Sequence, residues 1–332
     1  MKKLIAAAVA TSVSAIAIAD VSIGGNANYE YFSTTVGSDT TYTADTEVNL
    51  NIKGKTGDTG VVLNMEFNNH GTVDGDAGDG NIDIEDMYIT TKVGDINVKA
   101  GHYGSGTTAL AGEIESGARS TDKVTLSTNV GGWTVGYAVS EGSSSMNGQG
   151  ASVSASGTVS GVKVQVKEQS DSATYVGVAG SLAGIDYRLE NKDADAASSD
   201  VFFGDISTKV GDMTVGYTVI DADSAGKITE GDSGILGLSV NGADSETLTT
   251  RGITATGASQ FRISAPMAGN TISAKIGTID DGIAAGTDVD FTELKLTRKL
   301  ASGATLNLIF DDYDSAAGVT TEVIELDLSV SF

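Results

Sequence analysis

The chain has 332 residues, a formal net charge of −24 and no cysteine. The acidic excess argues against nucleic acid and anionic lipid head groups as partners, because both bind basic patches. Without cysteine there is no disulfide scaffold and no thiolate metal or redox site. Two histidines offer little for a zinc site or a histidine-based catalytic triad. These features favour a protein that is neither an enzyme nor a nucleic-acid binder.

Residues 1–19 have the pattern of a cleaved export signal. Two lysines precede a short apolar run, and Ala17-Ile18-Ala19 matches the small-x-small triplet that signal peptidase cuts. The run is shorter than the ~20 apolar residues that a spanning helix needs. We therefore expect cleavage after Ala19 and a single domain over residues 20–332.

The rest of the chain alternates apolar and polar residues with period two. Examples are "EVNLNIKGK" (47–55), "WTVGYAV" (133–139) and "TLNLIF" (305–310). Such alternation indicates strands with one apolar and one polar face. Short glycine-rich separators alternate with longer acidic ones, of which the first is "STTVGSDTTYTAD" (33–45). Short turns at one end and long loops at the other predict an up-and-down meander of hairpins.

Two closed architectures fit this meander. A soluble barrel or sandwich turns its apolar faces inward, whereas a transmembrane barrel turns them toward lipid and keeps a polar lumen. Aromatic residues make up only 6% of the chain, too few to fill the interior of so many strands. We therefore predict an all-β fold, a closed antiparallel transmembrane β-barrel of about 16 to 18 strands with short periplasmic turns and longer acidic extracellular loops.

The last strand illustrates the two faces. In "VIELDLSVSF" (323–332), the apolar side chains of one face would meet lipid and the carboxylates of Glu325 and Asp327 would meet the lumen. Aromatic residues near strand ends suggest girdles at the two membrane interfaces, and candidates are Trp133, Tyr313 and Phe332.

Four stretches resemble Gram-negative outer-membrane general diffusion porins. They are the export signal, the opening strand "VSIGGNANYEYF" (21–32), the segment "DMYITTKVGDINVKAGHYG" (86–104) and the closing strand with Phe332. The resemblance implies an integral outer-membrane channel. Such a channel would pass small hydrophilic solutes and ions by passive diffusion.

The same resemblance implies partners and a constriction. It implies a homotrimer in contact with outer-membrane lipid and lipopolysaccharide, with Phe332 as the signal that the barrel-assembly machinery recognises. Residues 102–122 occupy the place of the third loop, which in these porins folds into the lumen as a constriction. The segment lacks the Pro-Glu-Phe-Gly-Gly sequence motif of enteric porins, and no dense run of arginines marks the opposite wall.

Side chains alternate between the two faces of a strand, so the odd or even position of a residue predicts which charges line the lumen. A base facing lipid near the membrane centre would cost about 2–4 kcal/mol, so the strand charges are expected to point inward. The predicted acidic positions are Glu47, Glu66, Asp186, Glu190, Glu325 and Asp327. The predicted pore-lining and constriction residues are Lys53, Lys99, Arg188, Arg262, Lys275, His102, Glu113 and Glu115. Glu113 and Glu115 would face the basic wall and create a transverse field, and the acidic loops predict a preference for cations.

Two other classes of function remain open from the sequence. An outer-membrane barrel enzyme could use His102 beside "YGSGTT", but no G-x-S-x-G elbow is present. A calcium-binding surface adhesin or surface-layer protein could use the acidic stretch 74–86, where Asp74, Asp76 and Asp79 are weak candidate ligands. That stretch lacks the glycine of an EF-hand loop, so we expect no cofactor beyond loosely bound divalent cations such as Ca²⁺ at acidic loops.

Overall fold

The computed structural model describes residues 20–68, 81–104, 121–140, 151–170, 173–194, 200–222, 257–280, 288–314 and 320–332. The predicted export signal lies outside these residues. So do Glu113 and Glu115 of the predicted constriction, and the candidate calcium ligands Asp74, Asp76 and Asp79. None of the described residues forms a helix long and apolar enough to cross a membrane.

Eighteen strands account for nearly all of the described chain. Their bounds are β1 Asp20–Val36, β2 Asp39–Thr56, β3 Thr59–Asn68, β4 Asn81–Val93, β5 Ile96–Tyr103, β6 Thr121–Val130, β7 Trp133–Ser140, β8 Ser152–Val159, β9 Val162–Gln169, β10 Ala173–Leu182, β11 Ile185–Ala194, β12 Val201–Val210, β13 Met213–Ala222, β14 Gly257–Met267, β15 Asn270–Asp280, β16 Val289–Lys299, β17 Thr305–Asp314 and β18 Thr320–Ser331.

The strands form one closed antiparallel sheet. Each strand pairs with its neighbours in the chain, and β1 pairs with both β2 and β18, so the sheet has no open edge. Phe332 continues the closure beyond β18, since its N–H donates to the Gly25 carbonyl at 3.0 Å and the Gly25 N–H donates to the Phe332 carbonyl at 2.9 Å. The all-β closed barrel predicted from the sequence is confirmed, at the upper end of the expected strand number.

Seven of the eight hairpins at one end of the barrel, which we call the turn side, have two-residue turns, and residues 300–304 form a longer turn between β16 and β17. Glycine adopts a positive φ in these turns, as Gly94 (61°) and Gly211 (63°) do, which matches the type of tight turn that joins twisted strands. We call the opposite end the loop side. Its first connection differs from the sequence prediction. Residues 33–45 are not a long loop: β1 and β2 extend through them and meet at a tight turn with Gly37 at φ 61°.

The outward face of the barrel is apolar. Residues directly opposite each other on antiparallel strands share a face, and on this face the partners are apolar over much of the strand length, as with Ala27 and Val330 or Leu306 and Leu328. Large apolar side chains exposed on this face include Ile23, Tyr29, Tyr31, Ile89, Val135, Tyr137, Ile206, Tyr217, Phe261, Ile276, Leu294 and Leu308. An exposed apolar surface that surrounds the barrel fits lipid as its environment.

The inward face is polar, with one exception that the sequence did not predict. Near the loop side of β10, β12 to β18 and β1, the inward side chains are largely apolar and buried. They are Phe32, Tyr175, Val201, Phe203, Ile220, Ala258, Ile279, Val289, Phe291, Ile309, Tyr313 and Val323. Tyr313 is therefore not an outward girdle residue, whereas Trp133 shares the outward face with Val130 and Phe332 is 62% exposed. The polar, water-accessible wall lies mainly on β1 to β8 and on the turn side of the other strands.

Candidate functional site

The strand register places five predicted pore-lining bases on the inward face. Lys53 lies opposite Ser22 and Val62, Lys99 opposite Thr90 and Thr125, and Arg188 opposite Ala179 and Asp205. Arg262 and Lys275 lie opposite each other on β14 and β15. Their position fits the parity argument, and their role in solute passage stays a prediction.

His102 is a correction to the sequence analysis, because it lies on the outward face. Its register partners are Met87 and Asp122, and its Nδ1 lies 3.1 Å from Asp122 Oδ1. The physical reason is that β5 continues to Tyr103, so His102 alternates with the inward residues on either side of it. His102 therefore does not line the lumen.

Carboxylates gather on one arc of the inner wall, formed by β18 and β1 to β4. The inward acids of this acidic arc are Glu325, Asp327, Glu30, Asp45, Glu47, Glu66, Asp83 and Asp86. A register shift in the β3–β4 pair, between Asn64 and Met65, inserts Glu85 before Asp86. Glu85 lines the same recess as Glu47 and Glu66, so the bulge adds one more carboxylate to the arc.

Amide hydrogen bonds orient Asp86, one of these carboxylates. Asn51 Nδ2 donates to Asn64 Oδ1, and Asn64 Nδ2 donates to Asp86 Oδ2 at 2.8 Å. The Gly104 N–H donates to the other oxygen of Asp86 at 3.1 Å. These amide donors orient the Asp86 carboxylate without neutralising it, and Lys99 is near enough to interact with its charge.

Bases gather on the opposite arc. The inward bases of this basic arc, formed by β9 to β11, are Lys163, Lys167, Arg188 and Lys192, beside the acids Asp186 and Glu190. Because the barrel closes after eighteen strands, β18, β1 and β2 lie across the lumen from β9, β10 and β11. The two arcs therefore face each other across the lumen, and the transverse field that the sequence analysis attributed to the third loop stays a prediction.

Two of the predicted bases are paired within the wall. Arg262 Nη1 lies 2.6 Å from Asp205 Oδ2, and Nη2 lies 3.0 Å from Asp205 Oδ1, which is a bidentate ion pair. Lys275 Nζ lies 2.9 Å from Glu293. Charges paired in this way contribute less to the field in the lumen than Lys53 and Lys99 do, so the predicted set does not act as one group.

Lys99 is held by aromatic rings. Its Nζ lies 3.8 Å from the ring centroids of both Tyr88 and Tyr103, and the two rings meet edge to face at 5.5 Å. The Tyr103 hydroxyl is 2.7 Å from Thr125 Oγ1. Gly101, at φ 138°, makes this arrangement possible, because a Cβ there would collide with the Tyr88 backbone. The ammonium group is thus positioned by cation–π contacts and keeps its charge available to the lumen.

The structure offers no metal centre within the residues it describes: no group of three or more histidine or acidic side chains there could hold a metal ion. The barrel with its outward apolar face also gives no support to a surface-layer protein, whose exterior would have to be polar.

Comparison with known proteins identifies the fold. No protein-family model matches the sequence, and no curated protein matches it. The structure is similar to Pseudomonas aeruginosa OpdK solved with vanillate, at 12% identity and a TM-score of 0.68, covering 94% of this chain and 98% of that one. OpdL from the same organism gives 12% identity, a TM-score of 0.68 and coverage of 94% and 99%. OccK2 in complex with glucuronate gives 14% identity and a TM-score of 0.61, covering 94% of this chain and 98% of that one.

These proteins are outer-membrane channels, and the similarity extends over nearly the whole chain. At such low identity the likeness establishes the fold and leaves the solute and the subfamily undetermined. The chain therefore has the fold of an integral outer-membrane β-barrel channel.

Proposed function

We propose that the protein is an outer-membrane porin, a water-filled channel through which small hydrophilic solutes and ions diffuse passively. The observation that carries the proposal is the separation of the two faces: apolar side chains surround the barrel, while the strand bases apart from Arg298 near the turn side point inward within the described residues. A polar inner wall replaces part of the hydration of a solute, and an apolar solute gains nothing there.

The proposal includes a preference for cations. The acidic arc and the net charge of −24 raise the local concentration of cations at the channel, while the basic arc is partly offset by its own acids.

The test is the reversal potential across a KCl gradient in a planar bilayer. We expect K⁺ to be favoured over Cl⁻ by on the order of threefold or more at low salt, because screening is weak there. The double variant Glu47→Gln/Glu66→Gln should shift the potential toward zero, and Asp212→Asn at an exposed turn should not. A reversal potential of the opposite sign would contradict the preference.

The assembly of the channel is proposed from the resemblance to general diffusion porins. Residues 1–19 would be removed on export and residues 20–332 would form one barrel domain, inserted by the barrel-assembly machinery. The channel would be a homotrimer in contact with lipopolysaccharide, with loosely bound divalent cations at its acidic loops. Glu113 and Glu115, in the segment 102–122, would narrow the lumen.

A further inference from the structure

A recess of about 510 Å³ lies in the inner wall at the turn side of β2 to β6. Three lysines from three different strands line it, together with hydroxyl and amide side chains. The polar lining residues with inward side chains are Lys55, Thr90, Lys92, Asn97, Lys99, Thr125 and Ser127, with Asp58 at the adjoining turn. We call it the lysine recess. It is distinct from the two arcs, since it lies nearer the turn side than the carboxylates of β2 to β4.

A glycine provides the floor of the lysine recess. Gly60 stands between Lys55 on β2 and Thr90 on β4, in one row of inward residues that continues to Lys99 on β5. A Cβ at Gly60 would come within 2.8 Å of Thr90 Oγ1, a distance that side chains do not tolerate. Because Gly60 has no side chain, the Thr90 hydroxyl has room to lie over the Gly60 backbone.

The positive charge of the recess is only partly balanced. Asp58, at the adjoining turn, is the one acid among the lining residues, against three lysines. Within the described chain Lys55 and Lys92 make no ion pair, and both side chains are exposed at the turn-side mouth. Lys99 is fixed between its two tyrosine rings. A solute anion can therefore reach two exposed ammonium groups beside a third that is fixed in place.

The kinds of donor indicate the class of anion. Arginine presents a planar fork that matches carboxylate and phosphate alike, whereas a lysine ammonium is a compact charge that donates in several directions. The recess has three lysines and no arginine, and it adds the hydroxyls of Thr90 and Ser127. Donors that converge from several strands suit a tetrahedral oxyanion, which accepts hydrogen bonds on every side.

We propose that the lysine recess binds the phosphate group of a small solute at the turn side of the channel. The proposal rests on the proposed function only in that the solute reaches the recess through the lumen. Exposed lysines are screened by salt, so binding is weak and exchange is fast, as a passage site requires.

The test uses inorganic phosphate and the purified full-length barrel in a phosphate-free detergent. We expect the protein to broaden the ³¹P resonance of phosphate, and the double variant Lys55→Gln/Lys92→Gln to weaken the affinity by about tenfold. Gly60→Ala should weaken it without removing a charge. Lys209→Gln, an exposed inward lysine at the turn side of β12, serves as the matched control and should leave the affinity unchanged. Succinate, a dianion without tetrahedral geometry, should compete less well than sulfate.

Two results would overturn the proposal: equal loss of affinity in Lys209→Gln and in the double variant, or succinate competing as well as sulfate. Heat-modifiable migration on gels shows whether each variant forms a barrel. Channel recordings are independent of this assay. Phosphate binding by a barrel that carries no current would contradict the proposed function alone, and conduction with a phosphate affinity insensitive to the double variant would contradict this inference alone.

Discussion

Replacing Leu328 with arginine is expected to destabilise the barrel in a bilayer by about 2–4 kcal/mol, because a charged side chain near the middle of the apolar band must leave water. Leu328 lies on the outward face, where it is 41% exposed and stands opposite Tyr29 on β1 and Leu306 on β17. The measurement is the fraction of folded barrel in phospholipid vesicles during a urea titration, scored by its heat-modifiable migration.

The neighbouring residue provides the matched control. Ser329 lies on the inward face, opposite Asn28 and Thr305, and is half-buried. Ser329→Arg places the same charge at nearly the same depth but toward the polar wall, so we expect a loss of stability of well under half that of Leu328→Arg. A larger loss for Ser329→Arg would mean that the two faces are assigned the wrong way round.

Deleting Phe332 is expected to lower the amount of folded barrel in the outer membrane several-fold, without changing the current through each channel that does form. The deletion removes the hydrogen-bonded pair with Gly25 and the ring that covers the outward side of that glycine. We propose that the same outward ring, which is 62% exposed, is the signal for the assembly machinery. The readouts are heat-modifiable barrel in isolated outer membranes and single-channel current.

Two substitutions separate the ring from the backbone pairing. Phe332→Tyr keeps an aromatic ring and should assemble normally, whereas Phe332→Ala keeps the backbone hydrogen bonds and should assemble poorly. Normal assembly of Phe332→Ala would show that the ring is not the signal. A changed current per channel in the deletion variant would mean that Phe332 also shapes the lumen.

Where apolar and polar residues alternate, the strand pattern in the sequence predicts the face of a residue but not its neighbours across the barrel. Lys99 and Arg188 lie inward because side chains alternate along any strand, whatever its partners. Strand β2 faces β11 across the lumen because eighteen strands close the barrel. With one hairpin more or fewer, β2 would face a different strand. The two charged arcs therefore become visible only in the closed barrel.

Two of the differences from the sequence analysis have different causes. His102 was assigned to a loop, although the alternation from Lys99 through Gly101 carries the signal that it faces outward. The buried apolar inner wall could not be predicted in this way, since in "VFFGD" (201–205) both Phe202 and Phe203 are apolar and parity does not distinguish the faces. Phe202 is exposed outside and Phe203 is fully buried inside.

The central claim is that a polar lumen crosses the membrane inside a closed barrel. Its most direct test is single-channel recording of the purified, heat-modifiable protein in a planar lipid bilayer. The account predicts discrete steps of current whose size rises in proportion to KCl concentration, as expected for ions that move through water. Folded barrel that inserts into the bilayer and carries no current would contradict it.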